Sequence, residues 1–457
     1  MAMGKSGKGQ QGEFWIETQK LAQAPGHPFY RRLNQILKER GFDRFCSGSC
    51  EKYYKEEGRP SVPPPVYFRM LMIGYFEGLD SERGIAWHCA DSYSLREFLG
   101  YALSEHTPDH STLSRIRQRI DLETHRDVFT WALRAVAEEK LLSGKTAGVD
   151  ATTLEANAAL RSIVRRDTGE QYQEFLMRLA KESGIETPTR EDLAKLDRKR
   201  PHKGSNDDWQ NPHDPDARIA KMKDGSTHLA HKAEHAVDMD SGAVLAVTLQ
   251  HADLGDTTTI YQTVTEATET LEQLSQLPQL AEQVKPYVEE VVADKGYHSN
   301  KVLTTHEDAE IRTYISEPDR GERNWENKVR EQQAVYSNRR RIKGERGKRL
   351  MRQRGERVER SFAHCYETGA MRRTHLKGHA KILKRLLIHV AAFNLSLILR
   401  KLFGNGTPKE MAEAAKSLVL AVFCAIRVHI AQYRKIDTNV DPANPGWAIA
   451  PARGNVA

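Results

Sequence analysis

Residues 288–300, VEEVVADKGYHSN, restrict what this chain can fold into more than any other stretch. Val288, Val291, Val292 and Ala293 make a short apolar run, mostly β-branched, which predicts a buried strand. The run stops at Asp294. Lys295-Gly296-Tyr297 then turns the chain, and Ser299 or Asn300 is placed to cap a following helix. A carboxylate at the C-terminal edge of a buried strand sits where α/β sheets present ligands and metals. Strand-ending aspartates are also ordinary turn residues, so the meaning of Asp294 depends on which other carboxylates can reach it.

Two more acids occur in a telling order. A strand is predicted over residues 145–157 and carries Asp150. Residues 227–237 and 243–250 alternate polar and apolar positions around Asp238-Met-Asp-Ser-Gly242, which predicts a hairpin. Residues 253–274 read as helix. After Asp294 a helix runs to Ala309, and a strand follows at 311–315. A helix over 356–366 has Val358, Phe362 and Cys365 as its apolar side, with Glu359 on the border. This is the order of an RNase H-like mixed sheet. There the first strand is central, the second Asp lies on a parallel neighbour, and the helix bearing the Glu crosses the sheet. Three gathered carboxylates repel one another, which raises their pKa values unless divalent cations neutralise them. Hard oxygen donors with open positions suit Mg²⁺ or Mn²⁺. A pair of such ions activates a water or a 3′-hydroxyl and stabilises the leaving oxygen of a phosphodiester displacement.

The first 145 residues predict an all-α domain. After a disordered tail over 1–12, helices are expected at 14–22, 28–40 and 66–76, the last with prolines 63–65 at its first turn. Asp80 or Ser81 caps another through Trp87, and 94–100 adds a short one. In the segment from Thr107 to Arg119, Asp109 and Ser111 are cap candidates and Leu113, Ile116 and Ile120 form one stripe. Arg115, Arg117 and Arg119 lie off that stripe, either as a solvated face or against DNA. Tightly joined short helices before it favour a helix-turn-helix-like unit. A last helix is expected over 129–142. Residues 158–224, with their Pro-, Asn- and Asp-rich 201–215, read as an inserted subdomain or flexible arm. Helices over 380–403 and 409–433 close the chain.

Composition narrows the function classes. The chain's 457 residues suffice for two or three domains, and 39% hydrophobic with 29% charged residues describes a soluble globular protein. The apolar run at 418–430 is broken by Arg427 and His429 and is too short to span a bilayer, and no signal peptide is recognisable. Five scattered cysteines indicate reduced thiols and a cytoplasmic location; Cys46, Cys50, His88 and Cys89 lack the second tight pair of a zinc site. The net charge of +7 is concentrated, because residues 339–360 hold eleven Lys or Arg against three Glu. Such a run beside candidate catalytic acids points to nucleic acid. His231-Lys-Ala-Glu-His235 spells the H-x-x-E-H of zinc peptidases, but its period-two alternation denies it the required helical face.

With these residues in view, the chain resembles bacterial insertion-sequence transposases of the DDE type. The resemblance is carried by residues 62–119 with Pro-Asp-His-Ser-Thr-Leu-Ser-Arg at 108–115, and by Gly148-Val-Asp-Ala-Thr-Thr153. Ala293-Asp-Lys-Gly-Tyr-His298, Val358-Glu-Arg-Ser-Phe362 and the helix over 378–399 complete it. It implies Asp150, Asp294 and Glu359 as catalytic metal ligands for two Mg²⁺ or Mn²⁺ ions in a domain over 146–403. It also implies a DNA-binding domain over 1–145 that reads the element's terminal inverted repeats, with residues 404–457 as a terminal helix and tail. The implied partners are double-stranded DNA, as transposon ends and target, and a second copy of the chain in a dimeric active complex, with no membrane. Relatives often place an Arg four residues before the Glu and a Lys seven after it, where this chain has Gly355 and Tyr366. Arg352, Arg354, Arg372 and Arg373 are the available substitutes for holding a transposon end. Glu356 rivals Glu359 as third ligand, but the Val-Glu-Arg-x-Phe pattern surrounds Glu359. The alternatives are a DNA-binding repressor with a dead site and a plain two-metal nuclease.

Overall fold

A computed structural model describes residues 26–55, 57, 61–200, 204–222 and 225–437. The helix expected at 14–22 and both chain tails lie outside the described residues. The N-terminal region is helical: α1 (Pro28–Glu39), α2 (Phe42–Cys50), α3 (Pro64–Phe76), α4 (Glu82–Asp91), α5 (Tyr93–Leu99), α6 (His110–Arg119) and α7 (Leu122–Glu138). Side-chain caps set five starts, with His27, Ser81, Ser92, Asp109 and Asp121 accepting the backbone N–H of Phe29, Gly84, Leu95, Thr112 and Thr124. The Asp121 cap starts α7 well before the expected position at 129. The composition-poor stretch after α1 is also helical, because Phe42, Cys46 and Cys50 of α2 find a buried face that its polar residues disguise.

The next elements are β1 (Thr146–Glu155), β2 (Val164–Arg165), α8 (Tyr172–Glu182), α9 (Arg190–Lys199), β3 (Trp209–Gln210), β4 (Arg218–Lys221), β5 (Thr227–Asp238) and β6 (Val244–His251). Then come α10 (Asp256–Ser275), β7 (Glu290–Ala293), α11 (Asn300–Asp308), β8 (Arg312–Ile315), α12 (Val329–Lys343), α13 (Glu345–Phe362), α14 (His379–Phe403) and α15 (Pro408–Asp437). Six strands form one sheet in the order β4-β5-β1-β7-β8, with β6 also on β5. β1 is antiparallel to β5 and parallel to β7, and β7 is parallel to β8. The inserted stretch has a small core of its own around Ile163, Phe175, Leu176 and Trp209.

Both sheet edges are closed by a buried asparagine. Asn394 of α14 accepts from Val244 N at 2.9 Å and donates to Val244 O at 3.0 Å on β6. Asn338 of α12 does the same to Ile315 on β8, at 3.1 and 2.8 Å. Each satisfies an edge peptide that would otherwise be exposed or orphaned. The main core is continuous from Phe29 of α1 to Leu399 of α14, with α3 and α7 packed on α14 and α14 on β6. One window within residues 379–428 is apolar enough to cross a membrane by composition, yet 89% of it is buried against protein, as a core helix is.

This packing has a pH signature. His125 on α7 is buried, donates Nδ1–H to Asp121 O at 2.7 Å and meets the Tyr67 hydroxyl at 3.0 Å. Burial pushes its pKa down to about 4, whereas an unfolded imidazole titrates near about 6.5. A depressed value means that the unfolded chain takes up the proton first. Stability is therefore full above about 6.5 and is lost as pH falls toward about 4. The melting temperature is expected to fall over that window, and to fall less steeply in His125→Gln. Equal slopes in both proteins would assign the acid lability to other groups.

Candidate active site

Gly148 of β1 pairs with Val292 of β7. Two residues further along each strand direction stand Asp150, in the middle of β1 just past its last pair with β7, and Asp294, just past the end of β7, on parallel strands that run about 4.8 Å apart. The Asp150 carboxyl is raised above its ordinary value, chiefly by burial, with the Asp294 charge adding to the rise. The Ala151 N–H, at 2.8 Å from Oδ1, and the Arg354 guanidinium, with Nη1 at 2.9 Å from Oδ2, oppose it. Asp294 caps the turn at Lys295–Tyr297, accepting Gly296 N at 2.7 Å on Oδ1.

A polar network beneath this edge holds the turn. Tyr297 donates its hydroxyl to buried Glu234 at 2.8 Å, and Glu234 also accepts from Thr259 at 2.8 Å and from Thr263. Lys232 pairs with Asp256 at 2.5 Å and reaches Thr259 at 3.0 Å. At Gly296 a Cβ would lie 2.6 Å from Asp256 Oδ2 and 3.0 Å from Asp294 Oδ1, so only glycine lets the turn pass between these two carboxylates. The sequence reading had no role for Lys232 or Asp256. Charged residues at alternate positions of a buried strand were the available signal, because such groups are buried only when paired.

Helix α13 crosses the sheet. Arg346 pairs with Glu290 at the start of β7 at 2.5 Å, Arg354 reaches Asp150, Val358 sits over Gly148, and Ser361 Oγ meets His235 Nδ1 of β5 at 2.9 Å. Arg357 donates to Ser241 O, at the hairpin end of the sheet, at 3.3 Å. Glu359 projects roughly 100° around the helix from Val358. Its carboxylate is exposed, lies along the helix 4.0 Å from a Cβ at Gly355, and has no hydrogen bond or ion pair among the described residues. Glu356 faces solvent and pairs with Arg360 at 3.6 Å. The helix begins three turns before the expected 356, because Leu350 and Gly347 also pack inward.

The arginines divide. Arg354 is engaged by Asp150. Arg372 binds Glu367, Thr152 Oγ1 at 2.9 Å and Thr153 O at 3.2 Å, and Arg373 lies 3.6 Å from Glu155. Arg352 is exposed with no side-chain partner among the described residues. Tyr366 is buried and bound to His235 Nε2 at 2.6 Å, so it serves the packing of α13. On α6, Arg115 is exposed and Arg119 lies 5.4 Å from the Tyr54 ring centroid. Arg117 departs from the expected outward face: it is buried, bonded to Ser114 and paired with Glu82. The 3.6-residue repeat turns it toward α4, where Glu82 pairs with its charge.

Residues 231–235 are strand, as their alternation requires; His231 meets Asp214, Glu234 serves the network above, and His235 serves α13. Cys46, Cys50 and Cys89 are buried and form no metal-ligating group among the described residues.

A family model described as a transposase domain (DUF772) matches residues 17–119, and one described as a transposase DDE domain matches residues 199–395. Asp294 and Glu359 fall inside the second match and Asp150 precedes it. No curated protein and no solved structure matches the chain.

Proposed function

Since the chain belongs to the DDE transposases of insertion sequences, we propose that it cleaves and joins DNA through Asp150, Asp294 and Glu359 on an RNase H-like sheet. The observation that supports this reading is the approach of Asp150 and Asp294 on two parallel strands, where the Asp294 charge acts on Asp150; we assign the third acid to Glu359 of α13, the helix whose Val358 packs on Gly148 beside them. The donor set suits a hard divalent cation, Mg²⁺ or Mn²⁺: three carboxylates, one of them without a partner among the described residues. Asp150, Asp294 and Glu359 would hold it. When bound, such ions supply an activated water or 3′-hydroxyl and stabilise the leaving oxygen.

The chain's own residues do the rest. Lys232, Glu234, Asp256 and Tyr297 hold the Asp294 turn in place, so the ligand needs little reorganisation. Arg354 offsets part of the Asp150 charge. The exposed cations of α12 and α13, Arg340, Lys343, Arg349 and Arg352, suit the DNA backbone. In this reading residues 1–145 bind the terminal inverted repeats through a helix-turn-helix-like unit, residues 146–403 catalyse, and two copies assemble on paired transposon ends.

The test is strand nicking and 3′-end joining on a labelled transposon end with Mg²⁺. Nicking without joining would identify a nuclease, and binding without nicking a repressor. Recognition has its own test on the full chain, because α3 and α7 share a core with α14. Affinity for repeat DNA should fall steeply with salt, with a log–log slope of about −0.9 per neutralised phosphate. The double variant Arg115→Ala/Arg119→Ala should flatten that slope by about two units if each meets a phosphate. Arg117→Ala should instead lower the melting temperature, since it leaves Glu82 buried without its partner. An unchanged slope in the double variant would move recognition off α6.

A further inference from the structure

A second cluster of metal-binding side chains lies away from the acids. His231 stands four residues along β5 from His235, the partner of Asp150, which is about 13 Å along the strand and one strand away. His251 of β6 faces His231 across the ladder. His379 opens α14, with its ring centroid 5.1 Å from His231 and 4.8 Å from His251. Donor atoms of Asp216, His251 and His379 all lie within 4.8 Å of one another.

Part of this cluster has an ordinary structural explanation. Asp214 and Asp216 cap α14, accepting the N–H of Gly378 at 3.1 Å and of His379 at 2.9 Å. Capping uses one oxygen of each. It does not account for the imidazoles. Among the described residues, His379 Nε2 and His231 Nδ1 are both buried without a hydrogen-bond partner, and His231 is wholly buried. Orphaned ring nitrogens are costly in a folded protein unless something occupies them. His251 is oriented for ligation: its Nδ1 donates to Asp216 O at 2.9 Å, so Nε2 carries the lone pair. Among the described residues that nitrogen meets Arg218 Nη2 at 3.4 Å, and Arg218 keeps Pro215 O and Asp253 as further partners.

We propose that Asp216, His251 and His379 bind one zinc-class divalent ion, distinct from the cations of the catalytic carboxylates. Two imidazoles and one carboxylate favour Zn²⁺ over Mg²⁺. A tetrahedral ion at about 2.1 Å from each donor needs donors about 3.4 Å apart, which rotation of half-buried side chains can supply. His231, held at Nε2 by Asp214 at 3.2 Å, supports the site from beside it. The ion would tie the point where the inserted stretch rejoins the sheet to the start of α14, joining three segments far apart in sequence.

The test uses the full chain, stripped with chelator, in the background Asp150→Asn/Asp294→Asn to silence the catalytic acids. Titration with Co²⁺ should give one equivalent of visible d–d absorption, displaced by one equivalent of Zn²⁺, and metal analysis should find one Zn²⁺ per chain. His251→Ala and His379→Ala should each weaken binding at least about a hundredfold. Should an alanine variant fail to fold by circular dichroism, Asp216→Asn and His379→Gln take its place. No Co²⁺ band in the background protein overturns the proposal. So does a band that survives in the histidine variants, which would place the ion elsewhere.

Discussion

Asp150→Asn, Asp294→Asn and Glu359→Gln each lower strand cleavage by roughly a thousandfold or more, because in-line displacement needs nucleophile activation and leaving-group stabilisation together. Each change removes one charge at nearly constant volume. DNA affinity should hold or rise slightly as repulsion of phosphate falls. Asp294→Asn keeps an oxygen that can cap Gly296 N, so the turn survives and the loss reports chemistry rather than folding. Glu356→Gln is the control on the same helix, since its carboxylate faces solvent and meets only Arg360. Gel-resolved nicking and joining at fixed Mg²⁺ decides the matter. Full activity in Glu359→Gln with loss in Glu356→Gln would reassign the third acid.

Gly148→Ala should also be damaging without touching any acid. A Cβ there would fall 2.6 Å from Met239 Sδ and 2.9 Å from Val358 Cγ2, so the substitution drives α13 off the sheet. Overpacking of this kind costs about 1–3 kcal/mol, and displacing α13 moves Arg354 off Asp150 together with the proposed third acid. A lower melting temperature together with more than a tenfold loss of cleavage is expected. Adding Val358→Ala opens room for the new methyl, so the double variant should recover part of both losses, with a coupling of about 0.5–3 kcal/mol. Strict additivity in that cycle would show that the helix is not braced on Gly148.

Much of this arrangement was legible in the chain itself. Val291, Val292 and Ala293 give β7 away because parallel strands are buried on both faces and read as apolar runs. The β5–β6 hairpin shows in its alternation, and Asp109 and Ser299 announce their helices because capping is a local hydrogen bond. Helix α2 was hidden, since Phe42, Cys46 and Cys50 are too few among polar neighbours to mark a face. The early start of α13 was hidden for a related reason: eleven cations in residues 339–360 mask the two residues that pack inward.

What the sequence alone determined was therefore the order of elements and the candidate acids, because those follow from short-range periodicity, capping and turn chemistry. Only the tertiary structure decided which charges meet. Arg354 falls on Asp150 across 204 positions and Arg117 turns inward to Glu82, though both sit in runs that read as solvent-facing. His231 offers the plainest case. Its H-x-x-E-H spelling points to His235, but the strand sends it to Asp214 and to the neighbourhood of His251 and His379. Side-chain pairing over such separations is set by strand register and helix crossing, which depend on the packing of the whole core.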